Sequence, residues 1–297
     1  MNKSLLGVFW FIVSLLVSSG NDIITKYLSG NLSVYQVVFI RFMFGTLVLL
    51  PFMFYYKGSF RTKVIGVQFM RGVLLFGGML LWCKGLTLVK VSTATVINFT
   101  IPVFVLILAA IFLKERFNWG RFLATIFSVI GIAVVLSPAS SDFNVLSLLL
   151  VCSALMFASL DVINKKFISN EGMLVMLFYS SFFTMCLSVV PAYNTWVVPE
   201  AMDWFLFAVL GVGANLILYC LLKSFEMVEA SFVAPYRYLE FIFSAAMGYI
   251  FFAEIPDKST LYGAIVIIIS TMIVVYESFV VKVLNRSRGG VQKNGKR

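Results

Sequence analysis

The sequence predicts an all-α integral membrane protein: ten transmembrane helices in two inverted five-helix repeats. Three observations carry this reading. The chain is too apolar for a water-facing surface, it contains ten apolar stretches of membrane-spanning length, and it resembles itself at one fixed offset. Of its 297 residues, 61% are hydrophobic and only 12% charged, with a mean hydropathy of +1.00. A soluble domain is roughly 45–50% apolar and about 25% charged. A soluble globule, a disordered chain and a disulfide scaffold are excluded together.

A bilayer core of roughly 30 Å takes about 20 apolar residues in a helix. The first stretch, 4–26, ends before Ser29-Gly30-Asn31; it is too long for a signal peptide and lacks a small-residue cleavage site. The second, 34–56, stops at Lys57-Gly58, and the third covers 65–86. The fourth, 92–113, ends at Lys114-Glu115-Arg116 and carries Pro102, which lacks a backbone N–H and is expected to kink it. The fifth, 118–137, stops at Ser137-Pro138; the sixth and seventh are 145–165 and 173–193. Pro199-Glu200 precedes the eighth, 202–223. The ninth, 230–252, is closed by Glu254-Ile255-Pro256-Asp257-Lys258, and the tenth, 260–281, leads into a basic tail at 282–297. The connections are too short to hold a soluble domain.

Charge orients these spans. With the N-terminus in the cytoplasm, 16 of the 23 basic residues fall on the cytoplasmic side: Lys3, Lys57, Arg61, Lys63, Lys114, Arg116, Arg121, Lys165, Lys166, Lys223, Lys282, Arg286, Arg288, Lys293, Lys296 and Arg297. Lys26, Lys84, Lys90 and Lys258 fall on the other side, and Arg41, Arg71 and Arg237 lie within spans. This asymmetry puts both termini in the cytoplasm. The net charge of +10 is then a topology signal. The basic tail suits anionic lipid headgroups better than nucleic acid.

Shifting the sequence by 139 residues aligns its two halves. Asp22 falls on Asp161, Lys26 on Lys165, Gly72 on Gly211, Lys84 on Lys223, Ser92 on Ser231, Phe104 on Phe243 and Glu115 on Glu254. Shared hydrophobicity does not match charged residues at one register, so the chain is read as an internal duplication. An odd number of spans per copy turns the second copy upside down. Inverted five-helix repeats are an architecture of secondary transporters, with the solute site at the midplane between the halves.

Several chemistries are absent. Histidine does not occur, which removes imidazole relays and nearly all zinc sites. Cys83, Cys152, Cys186 and Cys220 lie far apart in apolar runs with no metal or disulfide spacing. No Walker loop occurs, which disfavours an ATP-driven pump. No cofactor is expected. An intramembrane protease would need two neighbouring carboxylates, and the inversion is expected to send Asp22 and Asp161 to opposite faces. A passive scaffold would need neither duplicated halves nor charges in the ninth span.

The stretch Ala94-Thr95-Val96-Ile97-Asn98-Phe99-Thr100-Ile101-Pro102-Val103, followed by Leu113-Lys114-Glu115-Arg116, resembles the repeat ending of the EamA type of the drug/metabolite transporter superfamily. In the second half Ala234-Pro235-Tyr236-Arg237-Tyr238, then Phe252-Ala253-Glu254-Ile255-Pro256 and Gly263, resembles the same ending. Arg41 opening the second span, with Pro51 ten residues on, also fits. Phe241 departs from the pattern, standing where Pro102 does in the first half, so the second copy is expected to bend at Pro235. The resemblance implies two EamA-type repeats, 4–137 and 145–281, in a non-enzymatic carrier of the bacterial inner membrane. It implies a cavity lined mainly by spans one, three, four, six, eight and nine. Overall likeness to members of obligate intracellular bacteria implies uptake of S-adenosylmethionine, with exchange against S-adenosylhomocysteine. Export of amino acids or other small metabolites or drugs is the alternative.

Charge in the hydrocarbon costs several kcal/mol unless it is paired or faces water. Arg237 and Glu240, three apart in span nine, are either a self-neutralising ion pair or a cavity pair in which Arg237 takes a carboxylate and Glu240 a cation. S-Adenosylmethionine carries a carboxylate, an ammonium and a sulfonium, and suits a site of both signs. Tyr236 and Tyr238 flank Arg237 and offer rings for adenine or sulfonium, or serve packing. Ser14, Ser18, Asn21 and Asp22 form a polar stripe on span one that either seals helix contacts or lines the cavity. Ser153, Ser159 and Asp161 repeat it on span six. Asn98, Trp82, Asn215 and Tyr219 complete the candidate solute-binding set. Arg41 and Arg71 are read as snorkelling residues near span ends, and Glu115 and Glu254 as structural anchors.

Overall fold

The computed structural model describes residues 3–55, 60–112, 130–131, 134, 148–168, 170–228, 236–237, 239–266 and 268–269. Among these there are helices and loops and no strand. The helices are α1 (Lys3–Asn31), α2 (Val34–Tyr55), α3 (Ile65–Leu86), α4 (Val91–Asn98), α5 (Ile101–Phe112), α6 (Leu148–Phe167), α7 (Met173–Asn194), α8 (Ala201–Met227) and α9 (Leu239–Phe252). Six of them, α1, α2, α3, α6, α7 and α8, are long and apolar enough to cross a membrane, which makes this a multi-pass membrane protein. Most of the predicted fifth span lies outside the described residues; residues 258–266, at the start of the predicted tenth, are helical.

The expected kink in the fourth span is a complete break. α4 and α5 are separate helices joined by a turn at residues 99–100. Pro102 has no N–H to give to the carbonyl of Asn98. The chain tightens instead, with the Thr100 N–H on the Ile97 carbonyl at 3.1 Å. In the second half, where Phe241 replaces the proline, residues 236–237 form a short 3-10 turn just before α9. The expected bend residue, Pro235, lies outside the described residues.

The two halves are interleaved. α1 packs mainly on α8, α2 on α7 and α8, α3 on α6 and α7, α5 on α6 and α4 on α9. The 139-residue offset maps α1 onto α6, α2 onto α7, α3 onto α8 and α5 onto α9. It therefore converts the α1–α8 contact into α6–α3, and α2–α8 into α7–α3. α2 and α7, the same element in the two copies, run antiparallel. Ser33 meets Thr195 at one end through a 2.7 Å hydrogen bond, and Met53 meets Leu177 and Phe178 at the other. Equivalent helices thus point in opposite directions.

One contact occurs twice. A Cβ added at Gly72 on α3 would lie 2.4 Å from the Cβ of Phe183 on α7. A Cβ added at Gly211 on α8 would lie 2.5 Å from the Cβ of Phe44 on α2. Gly72 and Gly211 are 139 apart, and so are Phe44 and Phe183. Small residues let membrane helices approach at backbone distance. Asn215 strengthens the α8 crossing by donating to the Gly45 carbonyl at 2.7 Å, and Ser153 does the same for α6 on the Gly78 carbonyl at 2.8 Å.

Gly72→Ala and Gly211→Ala should each lower the melting temperature of the detergent-solubilised protein, because overpacking of a tight crossing costs about 1–3 kcal/mol. Alanine at either position with an unchanged melting curve would show that the helices are not this close.

Candidate functional site

The α1/α8 and α3/α6 pairs leave between them a cavity of about 210 Å3, room for on the order of ten waters. Both halves line it, largely with equivalent positions. Asp22 and Asp161 both face it, as do Arg41 and Ser180, Phe42 and Ser181, Ser18 and Phe157, Trp82 and Leu221, Asn98 and Arg237, and Ile101 and Glu240. Each of these pairs is 139 apart. The inversion expected to send Asp22 and Asp161 to opposite faces still leaves both on the wall of one cavity, because a twofold axis through its centre maps the wall onto itself.

Asp22, nearly buried in α1, accepts the Trp82 indole N–H at 2.8 Å. It lies within electrostatic reach of Glu240 and of Arg41. Ser18, one turn back on α1, lies on the same cavity wall close to Glu240. Arg237 lies within electrostatic reach of both Glu240 and Asp161. The helix break puts Asn98 at the wall, where its Oδ1 has no hydrogen-bond partner among the described residues.

Of the sequence-derived candidates, Arg237, Glu240, Asn98, Trp82, Asn215, Ser18, Asp22 and Asp161 come together at this cavity. Tyr236 packs against Val8, Phe11 and Leu15 instead. Tyr219 lies past the edge of the α8 face, 38% exposed and edge-on to Trp10. Ser159, half-buried and absent from the cavity wall, bonds back to the Leu155 carbonyl at 2.8 Å, since two residues from Asp161 turn the helix by about 200°. Tyr238 lies outside the described residues. The α1 stripe divides: Ser14, Ser18 and Asp22 face the cavity, while Asn21 seals α1 against Leu210 and Gly213 of α8.

Arg41 and Arg71 do not snorkel. Both line the cavity, 6% and 0% exposed. Arg71 donates from Nε to Asn164 Oδ1 at 2.8 Å and from Nη1 to Gln68 and the Met176 carbonyl, and it feels Glu171. The sequence signal was there: an arginine well inside an apolar run has no short path to water.

Glu254 is an anchor as expected. Its Oε1 meets Lys26 Nζ at 2.5 Å, and Oε2 accepts the Val91 N–H at 2.9 Å. Lys26 also donates to the Val89 carbonyl, and Lys90 pairs with Asp257 at 2.7 Å. Ala253 makes this possible by taking φ 53° at the end of α9, with the Glu254 N–H returning to the Gly248 carbonyl at 3.2 Å. Glu115 lies outside the described residues.

Comparison with known proteins agrees with this architecture. The EamA-like transporter family matches twice, at residues 5–137 and 145–276. The S-adenosylmethionine uptake transporter of Rickettsia felis is 47% identical over 273 residues, 92% of this chain and 93% of that protein. The pseudopaline exporter of Pseudomonas aeruginosa is 25% identical over 268 residues, 89% of this chain and 94% of that protein. A solved crystal structure superposes with a TM-score of 0.65 over 92% of this chain and 96% of its own, at 15% identity, which is a likeness of fold alone.

A wet cavity and a lipid face are distinguishable by thiol chemistry. In a background with the four native cysteines replaced, Ser18→Cys and Asn98→Cys should react with a water-soluble methanethiosulfonate at least about tenfold faster than Ser159→Cys, because the reactive thiolate needs water. Equal rates at all three positions would remove the distinction.

Proposed function

The chain belongs to the EamA-like transporter family, and on that premise we propose that it is a secondary transporter taking up S-adenosylmethionine across the bacterial inner membrane, in exchange for S-adenosylhomocysteine. The proposal includes ten membrane helices with both termini cytoplasmic, repeats at 4–137 and 145–281, and a basic tail at 282–297 held against lipid headgroups.

One observation carries the substrate reading: the balance of charge at the cavity. Asp22, Asp161 and Glu240 face Arg41 and Arg237, while Arg71 is matched by Glu171. Among the described lining residues three carboxylates face three guanidiniums, so the cavity holds both signs, and Glu171, outside the lining, answers the charge of Arg71. S-Adenosylmethionine has a carboxylate, an ammonium and a sulfonium, so it too holds both signs, with one positive charge in excess. Asp22 and Glu240 hold its cationic groups, and Trp82 offers an indole face beside them, since a cation over an aromatic face gains about 0.5–2 kcal/mol. Arg237 lies within electrostatic reach of Glu240 and Asp161. Asn98, Asn215 and Ser18 supply hydrogen bonds to the neutral parts, and Tyr238 a ring. S-Adenosylhomocysteine lacks the methyl and its charge, which fits exchange through the same site. No residue is assigned a catalytic role. Export of amino acids or other metabolites is the competing reading, and 47% identity to an S-adenosylmethionine uptake transporter, against 25% to a pseudopaline exporter, favours it less.

Uptake of labelled S-adenosylmethionine by cells expressing the chain should be saturable, and unlabelled S-adenosylhomocysteine should compete. Competition by large hydrophobic amino acids alone would favour the exporter reading. Glu240→Gln should raise the apparent KM for S-adenosylmethionine by about tenfold, and the inhibition constant of S-adenosylhomocysteine by less, because a charge-assisted contact contributes about 1.5–3 kcal/mol. An equal loss for both would reduce Glu240 to an internal partner of Arg237.

A further inference from the structure

Arg41 sits on α2 seven residues from its Val34 end, about 10 Å along the helix axis. It is 6% exposed and lines the cavity. A guanidinium has five N–H donors. Only one hydrogen bond serves them among the described residues, a long one of 3.3 Å from Nη1 to Thr25 Oγ1. Nε has no partner among those residues. Asp22 lies near enough to be felt, but its carboxylate is engaged by the Trp82 indole and is no ion-pair partner of Arg41 within 4.0 Å. A buried charge left so bare is costly, and it becomes favourable only when an anion arrives.

The other two cavity arginines are better served. Arg71 gives Nε and Nη1 to Asn164, Gln68 and the Met176 carbonyl, with only Nη2 left without a partner among the described residues. Arg237, which is less buried, has two carboxylates, Asp161 and Glu240, within electrostatic reach. On α7 the position equivalent to Arg41 is Ser180, whose hydroxyl is also unpartnered among the described residues and faces the same cavity.

We propose that Arg41 is the carboxylate-binding residue of the transport site, its planar fork closing on the α-carboxylate of an amino-acid-containing solute. This rests on the substrate reading above and deepens it, placing at Arg41 the carboxylate that the sequence alone would give to Arg237. The geometry suits an α-amino acid. Its ammonium and carboxylate leave one carbon, and Asp22 lies in reach of both Arg41 and Glu240, so acidic and basic subsites adjoin. A guanidinium receives a carboxylate through two parallel bonds, which an ammonium cannot reproduce.

The test compares solutes with and without the carboxylate. Purified full-length protein in detergent is titrated with S-adenosylmethionine and with its decarboxylated analogue, and in parallel with methionine and 3-methylthiopropylamine. Wild type should prefer the acid of each pair it binds. Arg41→Gln should weaken the acid on the order of tenfold to a hundredfold and change the amine less than about twofold. Arg41→Lys keeps the charge and loses the fork; it should show an intermediate, still acid-selective loss, and it carries the test should the glutamine variant fail to fold. Equal weakening of acid and amine in both variants overturns the proposal, as does an acid-selective loss found in Arg237→Gln and not at Arg41. Should wild type ignore S-adenosylmethionine yet prefer methionine to its amine, and lose that preference in Arg41→Gln, only the substrate reading falls. A wild type with no acid preference in either pair overturns the Arg41 assignment.

Discussion

The antiparallel crossing of α2 on α7 is the constraint from which the rest follows. These helices are the same element in two copies, and they meet with Ser33 beside Thr195 and Met53 beside Phe178. That crossing puts a twofold axis through the bundle. Every other element must then be placed twice, and the repeated Gly72–Phe183 and Gly211–Phe44 contacts are the result. In lipid there is no hydrophobic drive between helices, so the fold depends on such close approaches and on polar bonds like Asn215 to Gly45. The cavity is the space where the equivalent helix pairs separate.

A symmetric wall has no reason to bind an asymmetric solute. The chemistry comes from divergence at paired positions. Arg41 stands opposite Ser180 in the duplication, Asn98 opposite Arg237, Ile101 opposite Glu240 and Trp82 opposite Leu221. Each substitution adds charge or an aromatic face to one side only. Asp22 and Asp161 keep the same residue in both halves yet have different surroundings, a Trp82 indole in one case and Arg237 in the other. Duplication thus supplies the shape, and departures from it supply the recognition.

Most of the scaffold was legible because hydropathy and punctuation act locally. The limits of α3, Ile65–Leu86, agree with the apolar run, and the 139-residue offset identified Gly72 and Gly211 before their contacts were known. α1 continues to Asn31, five residues beyond the predicted 26, because Lys26 is held by Glu254 from the other half, and a charge with a partner need not end a helix. The site was half legible. Charged and amide residues such as Asp22, Glu240, Asn98 and Asn215 are cavity-facing because lipid rejects them. Tyr219 and Ser159 carry no such compulsion, as a phenol tolerates an interface and a serine bonds its own helix. For Arg41 and Arg71 the error was one of depth: a long side chain was assumed to reach water along its helix, whereas the neighbouring half closes over both.

The two kinds of contact between the halves differ in what they allow. Where Gly211 meets Phe44 the backbones touch, with no slack for sliding and nothing that water could replace. Where α4 and the end of α9 approach α1, the links are polar: Lys26 to Glu254 and Val89, Glu254 to the Val91 N–H, and Lys90 to Asp257. These side chains keep some exposure, and water can replace their hydrogen bonds as it cannot replace a backbone contact. A carrier must open one side of its cavity without dismantling its core. In this molecule the contacts fit for separation are the ionic ones around Glu254, and the contacts fit to act as a fulcrum are the glycine crossings on α2 and α7.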